Sequence, residues 1–248
     1  MPAAAKKRGP ATAARAPRPD GLATRERLLE TACQVFAERG YADTTSKEIC
    51  ERAGTPLASV NYHFGSRDAL YAAVLVEAHN RVASLDDIAQ LTAGPGSPQQ
   101  RLAALLGFVV NLAARTNAPW ALRLLLREIM SPSAAVPVLV NQAMRPKAAL
   151  LLGLMGEVLG LPADHPAVQR AFAFTVLPCF FLLMAPPQIA RRVLPALTTR
   201  RDDLKEELLR YMSGGLEAIA ASQRKPAAPR RLRSTPAPGG RRTETTRG

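Results

Sequence analysis

Apolar residues recur three and four positions apart along nearly the whole stretch from Thr24 to Ala221, and no segment sustains an alternation of period two. Positions spaced in that way share one face of a 3.6-residue turn, so the chain reads as all-α. A first helix is expected over 24–39: Thr24 caps it, Leu28, Leu29, Ala32, Cys33 and Phe36 form its stripe, and Gly40 stands where a C-cap glycine belongs. A short second helix follows Thr45, whose Thr45-x-x-Glu48 spacing is that of a capping box, and it turns Ile49 and Ala53 inward before Gly54 ends it. A third runs from Leu57 to Phe64, with Val60 and Phe64 inward and Gly65 as its stop. Ser66 caps a fourth, with Asp68 complementing the dipole in its first turn, that continues toward Leu91.

The run Thr92-Ala93-Gly94-Pro95-Gly96-Ser97-Pro98 then divides the chain into two halves. Beyond it, helical spacing predicts elements over 99–115, 119–130, 134–160, 165–185 and 200–221. Pro137, Pro146 and Pro178 fall inside these patterns, where kinks or breaks are expected. The longest uncharged run, Ala171 to Ala190, approaches the ~20 residues of a bilayer span. It contains Pro178, Pro186 and Pro187, so a buried helix ending near Ala185 is the better reading, and no membrane partner is expected.

Charge changes this picture through its position. The 248 residues carry 33 Lys and Arg against 20 Asp and Glu, a net charge of +13. Residues 1–21 contribute a net +4 and residues 223–248 a net +7, leaving +2 for 22–222. Both ends are rich in Ala, Pro, Gly, Ser or Thr and poor in large apolar residues, so they read as disordered basic tails. They serve either as solubilising extensions or as arms on DNA phosphates. The expected division is a tail at 1–21, a first domain at 22–70, a second at 71–222 and a tail at 223–248.

Three cysteines without a C-x-x-C pair offer neither a disulfide framework nor a zinc site, which fits a reducing cytoplasmic setting. No apolar segment follows the N-terminal basic residues, so no secretory signal is expected. Enzyme signatures are missing: there is no G-x-S-x-G, H-E-x-x-H, P-loop or G-x-G-x-x-G pattern, and His63, His79 and His165 share no helix face. No catalysis, cofactor or metal is expected.

What remains is a pair of short helices joined by a tight glycine-containing turn, the outline of a helix-turn-helix. Ile49, Ala53, Val60 and Phe64 would clamp the pair, while Thr55, Ala58, Ser59 and Asn61 stay slim enough to enter a major groove. Tyr62 and His63 follow, able to donate to phosphate oxygens. Phe64 also reads as a core aromatic, and Tyr62 reads equally well as core or as surface.

Residues 24–70, above all Ala53-Gly54 followed by Val60-Asn61-Tyr62-His63-Phe64-Gly65-Ser66-Arg67-Asp68-Ala69-Leu70, resemble the DNA-binding domain of the TetR/AcrR transcriptional regulators. Leu124-Leu125-Leu126-Arg127-Glu128-Ile129-Met130-Ser131-Pro132-Ser133, Arg145-Pro146-Lys147 and Leu159-Gly160-Leu161-Pro162 resemble the CecR-like branch. The resemblance implies an N-terminal three-helix helix-turn-helix domain and a C-terminal helical ligand-binding and dimerisation domain. It further implies a homodimer on a palindromic operator in double-stranded DNA, acting as a repressor and released by a small-molecule effector of unknown identity. The alternative is a constitutive DNA-binding protein without an effector.

Carried over by position, the resemblance sets Thr45, Ser46 and Lys47 near the phosphate backbone. Thr55, Leu57, Ala58, Ser59 and Asn61 then face bases, and Tyr62, His63 and Arg67 face phosphates. Asn61 stands where the family usually has tyrosine; its amide suits a bidentate contact to adenine or a backbone contact. Arg67 at a helix N-terminus opposes the dipole, a cost that a bound phosphate would relieve. In the second half, Trp120, Arg123, Arg127, Glu128, Asn141, Gln142, Met144, Phe172, Phe180 and Met184 are candidate ligand-pocket residues. Arg127 and Glu128 also read as a structural ion pair. Leu204, Leu208, Leu209, Met212 and Leu216, with the 165–185 segment, form the expected dimer face. Residues 22–80 hold six basic and eight acidic side chains, a net of −2 that does not itself attract DNA.

Overall fold

The computed structural model describes residues 19–114, 119–184, 187–197 and 201–224, and among them it contains helices and turns but no strand. Its helices are α1 (Pro19–Arg39), α2 (Ser46–Ala53), α3 (Ser59–Phe64), α4 (Arg67–Val82), α5 (Leu85–Ala93), α6 (Pro98–Ala114), α7 (Pro119–Met130), α8 (Val136–Leu139), α9 (Arg145–Leu159), α10 (Pro166–Met184), α11 (Pro187–Val193) and α12 (Arg201–Arg224). The all-α expectation holds.

Several boundaries differ, each for a local reason. α1 starts at Pro19 rather than Thr24, with the proline at a helix start where its missing N–H costs nothing, so residues 19–21 are helical rather than tail. Residues 1–18 and 225–248, the remainder of the expected tails, lie outside the described residues. The expected fourth helix is two: Ala83 is extended (φ −154°, ψ 119°), and Ser84 starts α5 with a complete capping box. Asp87 N donates to Ser84 Oγ at 3.0 Å, and Ser84 N donates to the Asp87 carboxylate at 2.9 Å.

The 134–160 segment contains a π-helical turn, Val140–Met144, between Pro137 and Pro146. Pro146 has no N–H to offer the ladder, and Arg145 N reaches back five residues to Val140 O, so the proline is absorbed by one wide turn. α10 runs on past Pro178 without a break.

Two apolar clusters hold the molecule. The first joins Leu28, Phe36, Ile49, Val60, Leu70 and Leu75 of α1–α4 to Leu124 of α7 and Leu139 of α8. The second gathers Ile88, Leu102, Leu106, Leu154, Val168 and Leu216 from α5, α6, α9, α10 and α12. The four N-terminal helices therefore share their core with α7 and α8, across the Gly-Pro break in sequence. Removing a Leu from such a cluster costs about 2–5 kcal/mol, so α7 is a structural part of the N-terminal unit.

α10 is buried on one side only, between the expectation of a buried helix and that of an uncovered face. Val168, Ala171, Thr175 and Cys179 are buried, yet Phe174, Leu177 and Phe181 are exposed. By length and composition it could cross a bilayer, but its buried side packs on α6 and α9 as a core helix does. Beside the bare side lies a groove of about 380 Å³ lined by Pro178, Phe181, Leu182, Leu204, Leu208 and Tyr211 among others, the tyrosine 76% exposed.

Candidate nucleic-acid interface

α2 is fixed to α1 by ion pairs. Glu48 bonds Arg39 at 3.2 Å and Arg52 at 3.1 Å, and Arg52 also reaches Glu38 at 2.8 Å. Thr45 caps α2 by accepting from Glu48 N at 3.2 Å. The reciprocal half of the expected capping box is replaced, because the Glu48 carboxylate goes to the two arginines. Gly54 then takes a left-handed conformation (φ 61°, ψ 42°) that L side chains rarely adopt. Its N–H bonds Glu51 O at 3.2 Å and Thr55 N bonds Cys50 O at 2.9 Å, closing the turn.

α3 begins at Ser59, two residues later than expected, with Leu57 and Ala58 in the preceding turn. Val60, fully buried, anchors its inner side, and Phe64 packs half-buried on the first core. Outward it presents Asn61 and Tyr62, the latter 83% exposed, next to Ala58 and to Leu57 at 60%. Tyr62 is thus a surface aromatic, its ring edge-on to His63 with centroids 4.8 Å apart. Thr45 and Lys47 are exposed, while Ser46, Thr55, Ser59 and His63 are half-buried. Lys47 lies 3.8 Å from Glu51 across one helical turn. Of the expected base-facing and phosphate-facing residues, Thr45, Lys47, Leu57, Ala58, Asn61 and Tyr62 are thus exposed and Ser46, Thr55, Ser59 and His63 are half-buried.

Arg67 is the exception. Its Nη1 donates to Thr44 O at 2.7 Å and its guanidinium lies 4.3 Å from the centre of the Tyr41 ring. These internal partners relieve its unfavourable position at the start of α4, so no phosphate is needed to explain it. Tyr41 in turn donates to Asp68 at 2.5 Å, and Phe36, Tyr41 and Tyr71 pack as an aromatic cluster.

Among the described residues the pocket candidates lie in different settings. Trp120 is half-buried against the first core with the Arg81 guanidinium 5.3 Å from its ring centre; Arg81 is itself paired with Glu30 and Glu77. Arg123, Arg127, Asn141, Gln142 and Met144 are exposed and Phe172 is half-buried. The side chains of Phe180 and Met184 lie outside the described residues.

Arg127 and Glu128 form no ion pair with each other. The buried Glu128 carboxylate accepts from Tyr71 Oη at 2.9 Å and from Ser133 N and Oγ at 2.8 Å, while Arg127 Nη1 donates to Phe36 O at 3.5 Å. Adjacent helical residues point to different sides, which is why each finds its own partners. Both line a cavity of about 350 Å³ between the α1–α2 turn and the end of α7.

Sequence reasoning missed a polar centre at the other end of α4. Lys147, 5% exposed, approaches His79 Nδ1 at 2.8 Å and donates to Asn80 Oδ1 at 2.9 Å and His79 O at 3.3 Å. Burial pushes the Lys147 ammonium down to about 8 against a pull from Asp87, and burial with the nearby ammonium pushes His79 down to about 4. The available signal was a lysine on the same helical stripe as Leu150, Leu151 and Leu154.

Comparison with known proteins agrees with this architecture. The model for bacterial regulatory proteins of the tetR family matches residues 28–74, and that for the C-terminal domain of the HTH-type transcriptional dual regulator CecR matches residues 98–218. The uncharacterized HTH-type transcriptional regulator YdgC of Bacillus subtilis is 34% identical over 67 residues, 27% of this chain and 34% of YdgC. The HTH-type transcriptional regulator UidR of Escherichia coli K12 is 31% identical over 58 residues, 23% of this chain and 30% of UidR. The matched stretch thus spans about a third of each curated relative.

A putative transcriptional regulator from Pseudomonas aeruginosa PAO1 superposes with a TM-score of 0.63 at 19% identity, covering 81% of this chain and 93% of that one. The fatty acid degradation regulator FadR from Bacillus halodurans gives 0.57 at 17% identity, covering 85% and 98%. At these identities the two structures speak for the fold alone.

Proposed function

This chain belongs to the TetR family of bacterial transcriptional regulators, and we propose that it is a repressor that binds a palindromic DNA operator as a homodimer and is released by a small molecule. The observation that carries the reading is the outer side of α3. Asn61 and Tyr62 stand exposed there, with Leu57 and Ala58 exposed in the turn before it, and the inner side of the helix is held by the buried Val60. Slim residues flanked by a tyrosine and a histidine suit a helix lying in a major groove with donors toward phosphates. Residues 22–70 form the reading unit and 71–222 the dimerising and effector-binding unit.

Dimerisation is supported by the uncovered side of α10 and its groove against α12, an apolar surface that a second copy would bury. A two-fold dimer sets two reading helices ~34 Å apart, one turn of DNA. The effector is proposed to act through α7: Glu128 bonds Tyr71 of α4 and Arg127 bonds the Phe36 carbonyl of α1, so a shift of α7 moves the reading unit. Of the expected pocket residues, Trp120 and Phe172 are the half-buried ones and remain in the proposal. The basic tails are proposed to add the phosphate attraction that residues 22–80 lack. A cytoplasmic setting follows from the partner.

The test is selection of duplexes from a random pool by the full-length protein, with salt titration of the winner and an effector screen on it. An enriched palindrome with half-sites about one turn apart, released by a small molecule, is the expected result. Enrichment without release by any compound favours the constitutive DNA-binding protein. Sequence-blind binding alone overturns the reading.

A further inference from the structure

The first four helices spend nearly all their positive charge on themselves. Arg39 and Arg52 are paired with Glu48 and Glu38, Lys47 with Glu51, and Arg81 with Glu30 and Glu77. Arg67 is committed to Thr44 O and the Tyr41 ring. Among the described residues, two arginines in this region have no carboxylate within ion-pair distance: Arg25 and Arg27. Arg27 lies on the α4 side of α1, lining a groove with Glu26, Glu30 and Glu77. Arg25 lies on the α3 side, exposed, with its guanidinium carbon 4.7 Å from the centre of the Phe64 ring. Phe64 ends α3, directly after His63 and two residues after Tyr62.

We propose that Arg25 is a phosphate-binding residue of the DNA interface, held at the end of the reading helix by stacking on Phe64. This rests on the DNA-binding reading above. The ring contact uses no N–H of the guanidinium, so its donors stay available for another acceptor, and a phosphate matches that fork. Because the ring already restricts the side chain, fewer rotamers are lost on binding than for a free surface arginine. The surrounding net charge of −2 sharpens the assignment: attraction at this edge has to come from a cation that no carboxylate neutralises.

Three full-length variants separate charge from packing: Arg25→Met, which keeps an apolar stem over Phe64; Arg25→Lys, which keeps the charge but loses the planar stack; and Arg25→Ala. Binding is measured by fluorescence anisotropy, with a duplex enriched by the wild-type protein and a scrambled duplex of equal length, across a salt series. Arg25→Met and Arg25→Ala are both expected to bind more weakly, by about ten-fold for each arginine–phosphate bond removed. The slope of log K against log salt should become shallower by about 1 for each such bond, hence by about 2 for a dimer. The weakening should be similar on both duplexes, because phosphate contacts carry no sequence. Arg25→Lys should fall between, and the Arg25→Met melting temperature should match wild type. If Arg25→Met binds with wild-type affinity and slope, Arg25 merely covers Phe64 and the assignment fails alone. If the wild-type protein enriches no duplex, the proposed function fails and takes the assignment with it.

Discussion

Replacing Lys147 by Met tests the buried polar centre at the end of α4. The ammonium is almost fully enclosed, its acceptors are an imidazole nitrogen, an amide oxygen and a backbone carbonyl, and none of them carries a charge. The carboxylate acting on it, that of Asp87, opposes the effect of burial without overcoming it. Lys147 therefore releases its proton near 8 in the folded protein but near 10.5 in the unfolded chain. Between those values the unfolded state binds more protons than the native state, so stability rises with pH across this window. A gap of that size is worth about 3 kcal/mol in full, the cost of keeping the ammonium charged in place.

At neutral pH the methionine variant gains by removing that cost and loses about 1–3 kcal/mol for each buried acceptor left unpaired, so its net effect there is a balance. Its pH dependence is diagnostic. Urea unfolding of both proteins at pH 7, 8, 9 and 10, at one salt and one protein concentration, gives a difference in which all other titrating groups cancel. The wild type should gain on Lys147→Met by up to about 3 kcal/mol from the low to the high end of the series. Parallel stability curves would refute the reasoning, since they would mean that the folded protein holds Lys147 no differently from water.

His79 predicts the acid side with the same sign logic: it is held near 4 in the fold against 6.5 unfolded, so stability should fall as pH drops through that interval. A His79→Gln variant should lose less over the same range in the same urea assay. Gly54→Ala meets no atom within 4 Å, so its cost is purely that of an L side chain at positive φ, about 1–2 kcal/mol, read by thermal unfolding. Asn61→Ala and Tyr62→Phe alter exposed groups outside the core and should change stability by less than about 0.5 kcal/mol. On the selected duplex, Asn61→Ala should relax base preference at one position per half-site if its amide reads adenine, whereas Tyr62→Phe should weaken all sequences alike.

What was legible in the sequence is what short-range chemistry decides. Thr45, Gly54, Gly65 and Ser66 mark helix ends through bonds to residues three to five positions away, and each does so in the structure. The same kind of signal, Ser84-x-x-Asp87, lay unread inside the apolar run toward Leu91, and there the cap prevailed over the periodicity. The illegible part involves partners far along the chain. Arg67 finds Thr44 O 23 residues away, Tyr71 finds Glu128 across 57 and Lys147 finds Asn80 across 67. Spacing along one helix shows which side a residue is on, never which helix will meet it.

That limit bears on how the charge of the reading unit is understood. From the sequence, nothing in the charge pattern separates Arg39 or Arg52 from Arg25, and the net of −2 over residues 22–80 merely says that cations are outnumbered. In the fold, Glu38 and Glu48 occupy Arg39 and Arg52 and Glu30 and Glu77 occupy Arg81, fastening α2 to α1 and α4 to α1, while Arg67 is taken by Thr44 O and the Tyr41 ring. The acidic surplus thus fastens α2 and α4 to α1, and the proposed DNA interface is left with a few uncommitted donors. DNA affinity should then respond steeply to loss of Arg25, Tyr62 or the tails. Loss of a committed cation such as Arg52 should appear first as a loss of stability, with affinity following only as far as α2 loosens.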